Sequence, residues 1–306
     1  MSNSAAPSSS KLSSNALGAI FMMLSMAGFV FNDTLMKLVA GDLSLFQAIL
    51  IRGVFACFFM TLLCAYMGVF RVEGGVFGVL RHPTVLLRTI GETGGTYFFL
   101  SALFEMPIAN VTAVLQILPL TITLAAALFL GETVGWRRYG AIIAGFLGVL
   151  LIVKPGTDGF NFFAIYALIS TGFITMRDLV TRKMPANIPS LLVSLVTAIV
   201  ITAMGAVGSL FEPWQDVNGS QILILLGAAA VLMVGYICSI LAMRDGEVSF
   251  VSPFRYSILI WALVLGFFVF GDVPDMWSMI GAVIIVASGL FTFYRERLAA
   301  RNSDTS

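Results

Sequence analysis

The sequence predicts an all-α integral membrane protein with ten transmembrane helices arranged as two inverted five-helix repeats. Three observations predict it. Of the 306 residues, 59% are hydrophobic and 11% charged, and mean hydropathy is +0.99, whereas soluble domains carry about 25% charged residues. Ten separate segments reach the roughly 17 to 25 mostly apolar residues that cross a bilayer. The second half of the chain also echoes the first.

The elements follow in order. The opening MSNSAAPSSSKLSSN, residues 1–15, is polar and Ser-rich and reads as a disordered cytoplasmic tail. Spans are expected at 16–40, 44–69, 85–104, 107–130, 136–154, 160–181, 188–211, 221–243, 248–270 and 277–294, and a second cytoplasmic tail at 295–306. The first apolar run is long and has no small-residue cleavage site after a short core, so it reads as a retained span and not a signal peptide. Positive charge sets orientation. With the N-terminus inside, Lys11, Arg71, Arg81, Arg137, Arg138, Arg182, Lys183, Arg244, Arg295, Arg297 and Arg301 share the cytoplasmic side, and Lys37 and Lys154 lie opposite. Both termini are then cytoplasmic and the chain is multi-pass, while Trp136, Trp214 and Trp277 fall at span ends. Net charge +1 gives no sign of a nucleic-acid partner. Cys57, Cys64 and Cys238 sit in apolar segments without paired spacing, so no disulfide framework or metal site is indicated.

The repeat is the strongest organisational signal. GETVGWRRYGAIIAGFLGVLLI from Gly131 recurs in outline as GDVPDMWSMIGAVIIVASGLFTF from Gly271. Gly131 matches Gly271, Glu132 matches Asp272, and after one inserted residue Gly140 and Gly148 match Gly281 and Gly289. A fainter match sets GFVFNDTL from Gly28 on GFITMRDL from Gly172 and pairs Asp33 with Arg177. The boundaries give one repeat over 16–154 and another over 160–294. Five helices per copy force the second copy to enter the membrane the other way up, an architecture on which many secondary transporters build alternating access.

Charged residues inside spans are costly in lipid and are functional candidates by default. Asp33 and Lys37 lie four apart on one helical face and can neutralise each other, or Lys37 can snorkel while Asp33 lines a cavity. Arg52 is too deep for easy snorkelling and reads as a cavity cation or as a partner of Asp33. Arg88 and Glu92 are again four apart, and Glu92 neighbours Gly91, Gly94 and Gly95, which suit close helix packing or close approach to a ligand. Pro119 and Pro253 bend the fourth and ninth spans, and Gln116 and Tyr256, which align across the repeat, stand beside those bends with Arg255. The substrate-binding candidates are therefore Asn32, Asp33, Arg52, Glu92, Gln116, Arg255 and Tyr256, with Asp33 and Glu92 as proton-coupling candidates. Tyr97, Tyr236, Tyr256 and Trp261 offer faces on which a planar ring can stack. Ala141 with Gly145 and Ala144 with Gly148 form small-residue faces that suit helix packing, within the chain or in a homodimer.

Ten spans in two copies, each ending in a Gly-acidic pair, a short loop and a Gly/Ala-rich helix, resemble the drug/metabolite transporter superfamily, in its EamA-domain branch. NDTLMKL from Asn32 and GETGGTYFFLSALFEMPIANVTAVLQILPLTITLAAALFLGE from Gly91 resemble the proteobacterial members associated with riboflavin uptake. The resemblance implies secondary transport of a small metabolite across the bacterial inner membrane, without ATP and without a bound cofactor, with riboflavin import the best reading. Neighbouring branches export amino acids and related metabolites or take up S-adenosylmethionine. No G-x-x-x-x-G-K-[ST] loop is present. An enzyme is the competing class, but His82 is the one histidine and there is no H-E-x-x-H or G-x-S-x-G pattern, so no catalytic residues and no metal ligands are assigned.

Overall fold

The computed structural model describes residues 14–70, 75–131, 134–157, 160–185, 187–245 and 248–303. Every regular element among them is helical, the form in which an isolated apolar segment satisfies its own backbone in lipid. In order these are α1 (Ser14–Leu38), α2 (Leu45–Tyr66), a short α3 (Gly75–Leu80), α4 (Pro83–Glu105), α5 (Ile108–Leu115), α6 (Leu118–Leu130), α7 (Trp136–Val153), α8 (Phe163–Arg182), α9 (Ser190–Gly208), α10 (Gly219–Asp245), α11 (Val248–Val251), α12 (Ser257–Leu265) and α13 (Met276–Ser303). The expected first tail up to residue 13, with Lys11, lies outside the described residues, as do Arg71, Glu132 and the side chains of Arg244, Arg297 and Arg301. The helix expected to end at 294 continues to Ser303.

Nine helices among the described residues are long and apolar enough to cross a membrane. The expected third span is α4, whose 23 residues give a length of about 34 Å at 1.5 Å per residue. It carries Arg88, Glu92 and the polar run Thr93–Thr96, and this polarity keeps it out of the nine. The fourth span is broken, α5 giving way to α6 at Gln116 and Ile117, with Pro119 in the first turn of α6. The ninth runs through α11, a 3₁₀ turn over Ser252–Tyr256 that contains Pro253, α12, and a π turn over Gly266–Phe270. Gly131 and Gly271, matched across the repeat, end α6 and the π turn in the same left-handed conformation, each with φ 70°, which glycine adopts without steric penalty.

Packing follows the repeat. Counting spans, helix one (α1) pairs with eight (α10) and helix six (α8) pairs with three (α4), while α2 pairs with α9 and α7 with α13. A shift of five spans exchanges the first two pairs and maps each of the others onto itself, as a two-fold relation between repeats requires. One hydrogen bond repeats the relation: Ser25 Oγ donates to Gly235 O at 2.8 Å between α1 and α10, and Ser170 Oγ donates to Gly95 O at 2.8 Å between α8 and α4. Small residues allow these close approaches, because apolar surface alone gives helices little reason to associate in lipid. The small-residue faces of α7 are occupied within the chain: Gly145 abuts Leu120, and Gly148 faces Gly281 so closely that a Cβ on Gly281 would lie 2.5 Å from Gly148 O. At the end of the same pair, Lys154 Nζ and Ser278 Oγ both donate to the Asp275 carboxylate at 2.6 Å. The Lys154 bond, then that of Ser278, holds this loop carboxyl down at about 2. The tie is thus present above the ordinary value of 3.8 and is lost only as pH falls through about 2.

Candidate functional site

A cavity of about 170 Å³ lies where α1, α2, α4, α9 and α10 meet, between helices of both repeats, where transporters of inverted architecture place cargo. Asn32 and Asp33 reach it from α1, Arg52 from α2, Arg88 and Glu92 from α4, and Tyr236 from α10. Helical geometry makes this possible. Arg88 and Glu92 lie one turn apart and present neighbouring side chains to one side of α4, and Gly91 lets the backbone of α8 approach until Phe173 O would stand 3.0 Å from a Cβ.

Two polar clusters result. In the first, Arg52 Nη1 donates to Asn32 Oδ1 at 3.2 Å, and Asn32 Nδ2 donates to Asp33 Oδ1 at 2.9 Å. Asn32 therefore stands between the cation and the anion, and among the described residues Asp33 has no ion pair. Arg52 is buried, and its Nε has no hydrogen-bond partner. In the second cluster Arg177, the repeat counterpart of Asp33, binds Glu92 Oε2 through Nη1 at 2.8 Å and Asp178 Oδ1 through Nε and Nη2, both at 2.8 Å. Arg88 stands 3.9 Å from the same Glu92 oxygen and donates to Thr197 Oγ1 at 3.1 Å. The two clusters differ in kind: Glu92 is held by cations, whereas Asp33 is held by a neutral amide.

The structure thus brings together Asn32, Asp33, Arg52 and Glu92. It sets Gln116, Arg255 and Tyr256 apart from that cavity. Gln116 ends α5 and donates to Thr112 O at 3.4 Å. Tyr256 ends the 3₁₀ turn, its ring edge-on to Phe293 at 6.4 Å and its buried hydroxyl over Gly289 without a partner, while Arg255 beside it is exposed. Of the four stacking candidates Tyr236 alone lines the cavity, joined by Phe99, and Trp261 packs in the apolar core. Lys37 does not pair with Asp33; its ammonium is bound to backbone carbonyls at the end of α4. Sequence reasoning missed Arg88 as a lining residue and Arg177 as the partner of Glu92, although the faint match between Asp33 and Arg177 had marked the latter. Among the described residues no group of His, Cys, Asp and Glu is placed to hold a metal ion.

The sequence pattern of the EamA-like transporter family matches residues 16–154 and 161–294. The chain belongs to the EamA-like transporter family. As an EamA-like protein it is 26% identical over 286 residues to an S-adenosylmethionine uptake transporter of Rickettsia felis, covering 92% of this chain and 94% of that one. It is 30% identical over 218 residues to a riboflavin transporter of Vibrio cholerae, covering 71% of this chain and 73% of the relative. A pseudopaline exporter of Pseudomonas aeruginosa is 24% identical, over 89% of this chain and 94% of its own. A solved crystal structure at 20% identity superposes with a TM-score of 0.63 over 93% of this chain and 99% of that one, a likeness of fold. The EamA-like chain is therefore a multi-pass membrane transporter, and its relatives carry small molecules.

Proposed function

We propose that the protein takes up riboflavin across the bacterial inner membrane by secondary transport, with both termini cytoplasmic and the cargo held in the cavity of Asn32, Asp33 and Arg52. The observation that supports this most is Arg52. An unsatisfied donor shielded from water costs energy that a cargo acceptor recovers, and Arg52 keeps Nε without a partner in the cavity that the acceptor Asp33 also lines. A flavin ring presents carbonyls alternating with N–H along one edge, which suits a donor next to an acceptor, and Tyr236 and Phe99 offer aromatic faces to its plane. Gln116, Arg255 and Tyr256 belong in this reading to the bends of the fourth and ninth spans, outside the binding site.

Asp33 is the better proton carrier of the two candidates. Glu92 is ion-paired with Arg177 at 2.8 Å and with Arg88 at 3.9 Å, whereas Asp33 is hydrogen-bonded to Arg52 only through Asn32. The other titratable groups lining the cavity around Asp33 are Arg88 and Glu92 of α4 and Tyr236 of α10.

The test is growth of a riboflavin auxotroph without its own importer on low riboflavin. Rescue is expected, and Asp33→Asn should lower uptake at least about ten-fold, the weight of one charge-assisted hydrogen bond, at unchanged membrane abundance. No rescue with the protein present removes riboflavin import; abundance and uptake lost together make Asp33 a structural charge. S-adenosylmethionine uptake is the second reading, favoured by relatives that align over nearly the whole chain. In it Arg52 takes the carboxylate and Asp33 the ammonium, and labelled S-adenosylmethionine would accumulate in place of the vitamin.

A further inference from the structure

Just beyond the cavity, toward the face where α1 ends, the two repeats close on each other. An apolar layer comes first, built from Met36, Ile49 and Leu100 of one repeat and Leu225 and Ala262 of the other. Outside it lie three contacts, and every one crosses between the repeats. The Gln47 amide binds the backbone of Gln215 in both directions, donating from Nε2 to Gln215 O at 2.7 Å and accepting from Gln215 N at 3.2 Å. Gln221 donates from Nε2 to Asp42 Oδ2 at 3.0 Å, its own Oε1 being used to accept from Asn218 N at the start of α10. Lys37 Nζ stands 5.6 Å from the Phe270 ring centroid.

Lys37 also donates to Leu103 O at 2.8 Å and Met106 O at 2.6 Å, where the last turn of α4 leaves carbonyls without intrahelical partners. One ammonium thus ties the end of α1 to the end of α4 and to the aromatic end of the ninth span. None of these side chains lines the cavity, and Gln47 is 0% exposed, so they are spent on closure and not on cargo. Hydrogen bonds suit closure that must be undone. When water enters a parting interface it replaces each of them at small net cost, whereas an apolar layer alone gives no such exchange.

We propose that Lys37, Gln47 and Gln221 form a releasable latch that holds shut the end of the transport pathway where α1 ends, and that each transport cycle breaks it. The proposal rests on the reading of the chain as a transporter whose repeats move against each other, and not on the identity of the cargo.

The test is accessibility of a cysteine placed in the cavity, Thr96→Cys, in a background of Cys57→Ser, Cys64→Ala and Cys238→Ala. A membrane-impermeant maleimide is applied to right-side-out and to inverted vesicles, with no substrate present, so a wrong guess about riboflavin leaves the readout intact. Lys37→Met and Gln47→Leu are each expected to raise labelling from the α1-exit face about ten-fold, a shift of ~1.4 kcal/mol, and to lower it from the other face. Lys37→Arg, which keeps a cation, stays near the parent. Unchanged labelling from the α1-exit face at parental abundance overturns the latch, and so does an equal rise from both faces, which marks loosened packing. If Lys37→Met is lost from the membrane, Gln47→Leu, which leaves Lys37 and its carbonyl bonds in place, decides.

Discussion

Asp33 and Lys37 illustrate how little one-helix geometry decides for a charged side chain in a membrane. Their spacing suits an ion pair worth a few tenths of a kcal/mol on an isolated helix, but the end of α4 offers Lys37 two carbonyls that otherwise lack partners, and it goes there. Asp33 is left to Asn32. Glu92 and Arg177 show the opposite case, a direct pair between α4 and α8 with 17% and 22% side-chain exposure. Removing Arg177 takes the cation from both Glu92 and Asp178, whereas removing the Glu92 charge leaves Arg177 its Asp178 partner. Arg177→Met is expected to lower stability by about 3 kcal/mol and Glu92→Gln by less, seen as drops in the melting temperature of detergent-purified protein. The double variant should recover part of that loss. A double variant that melts at the sum of the two losses would mean the pair has no coupling.

Helix pairs carry the next level of organisation. The pair α7 and α13 meets at Gly148 and Gly281, backbone against backbone, so a side chain at either position must part the helices. Gly148→Leu should cost about 3 kcal/mol by overpacking and lower the amount of folded protein in the membrane. Gly140→Leu on the same helix, where a Cβ meets nothing within 4 Å, should be neutral; equal losses in the two would place the cost outside the α7–α13 contact. The broken fourth and ninth spans belong to this scale as well. Pro119 and Pro253 predicted bends, and the structure places the first just after a break between two α-helices and the second in a 3₁₀ turn. Gln116 and Tyr256 were legible as aligned polar residues beside those bends, but their positions on separate, turned segments direct them away from the cavity formed by α1, α2, α4, α9 and α10.

At the scale of the molecule, the two-fold relation between repeats is the architecture on which many secondary transporters build alternating access. The charge pattern predicts that both termini lie in the cytoplasm, so a fluorescent protein fused after Ser306 should fold and fluoresce, and alkaline phosphatase fused there should stay inactive. Active phosphatase at that end would reverse the orientation and with it the face on which Lys37 closes.

Composition and periodicity by themselves determined the solvent, the class of fold, the approximate spans and the repeat, because each is a property of segments: a stretch is apolar enough for lipid or it is not, and Gly131 and Gly271 mark equivalent stops in any arrangement of the rest. Asn32, Asp33, Arg52 and Glu92 were legible as candidates for the same reason, polar groups being costly in apolar helices wherever they point. Which of them meet was decided by tertiary structure alone. Asp33 and Arg52 are joined through Asn32, Glu92 belongs to Arg177, and Arg88 turns to Thr197 of α9. Charge fixes only that a buried ion needs a partner, and the partner's identity depends on which helices stand side by side.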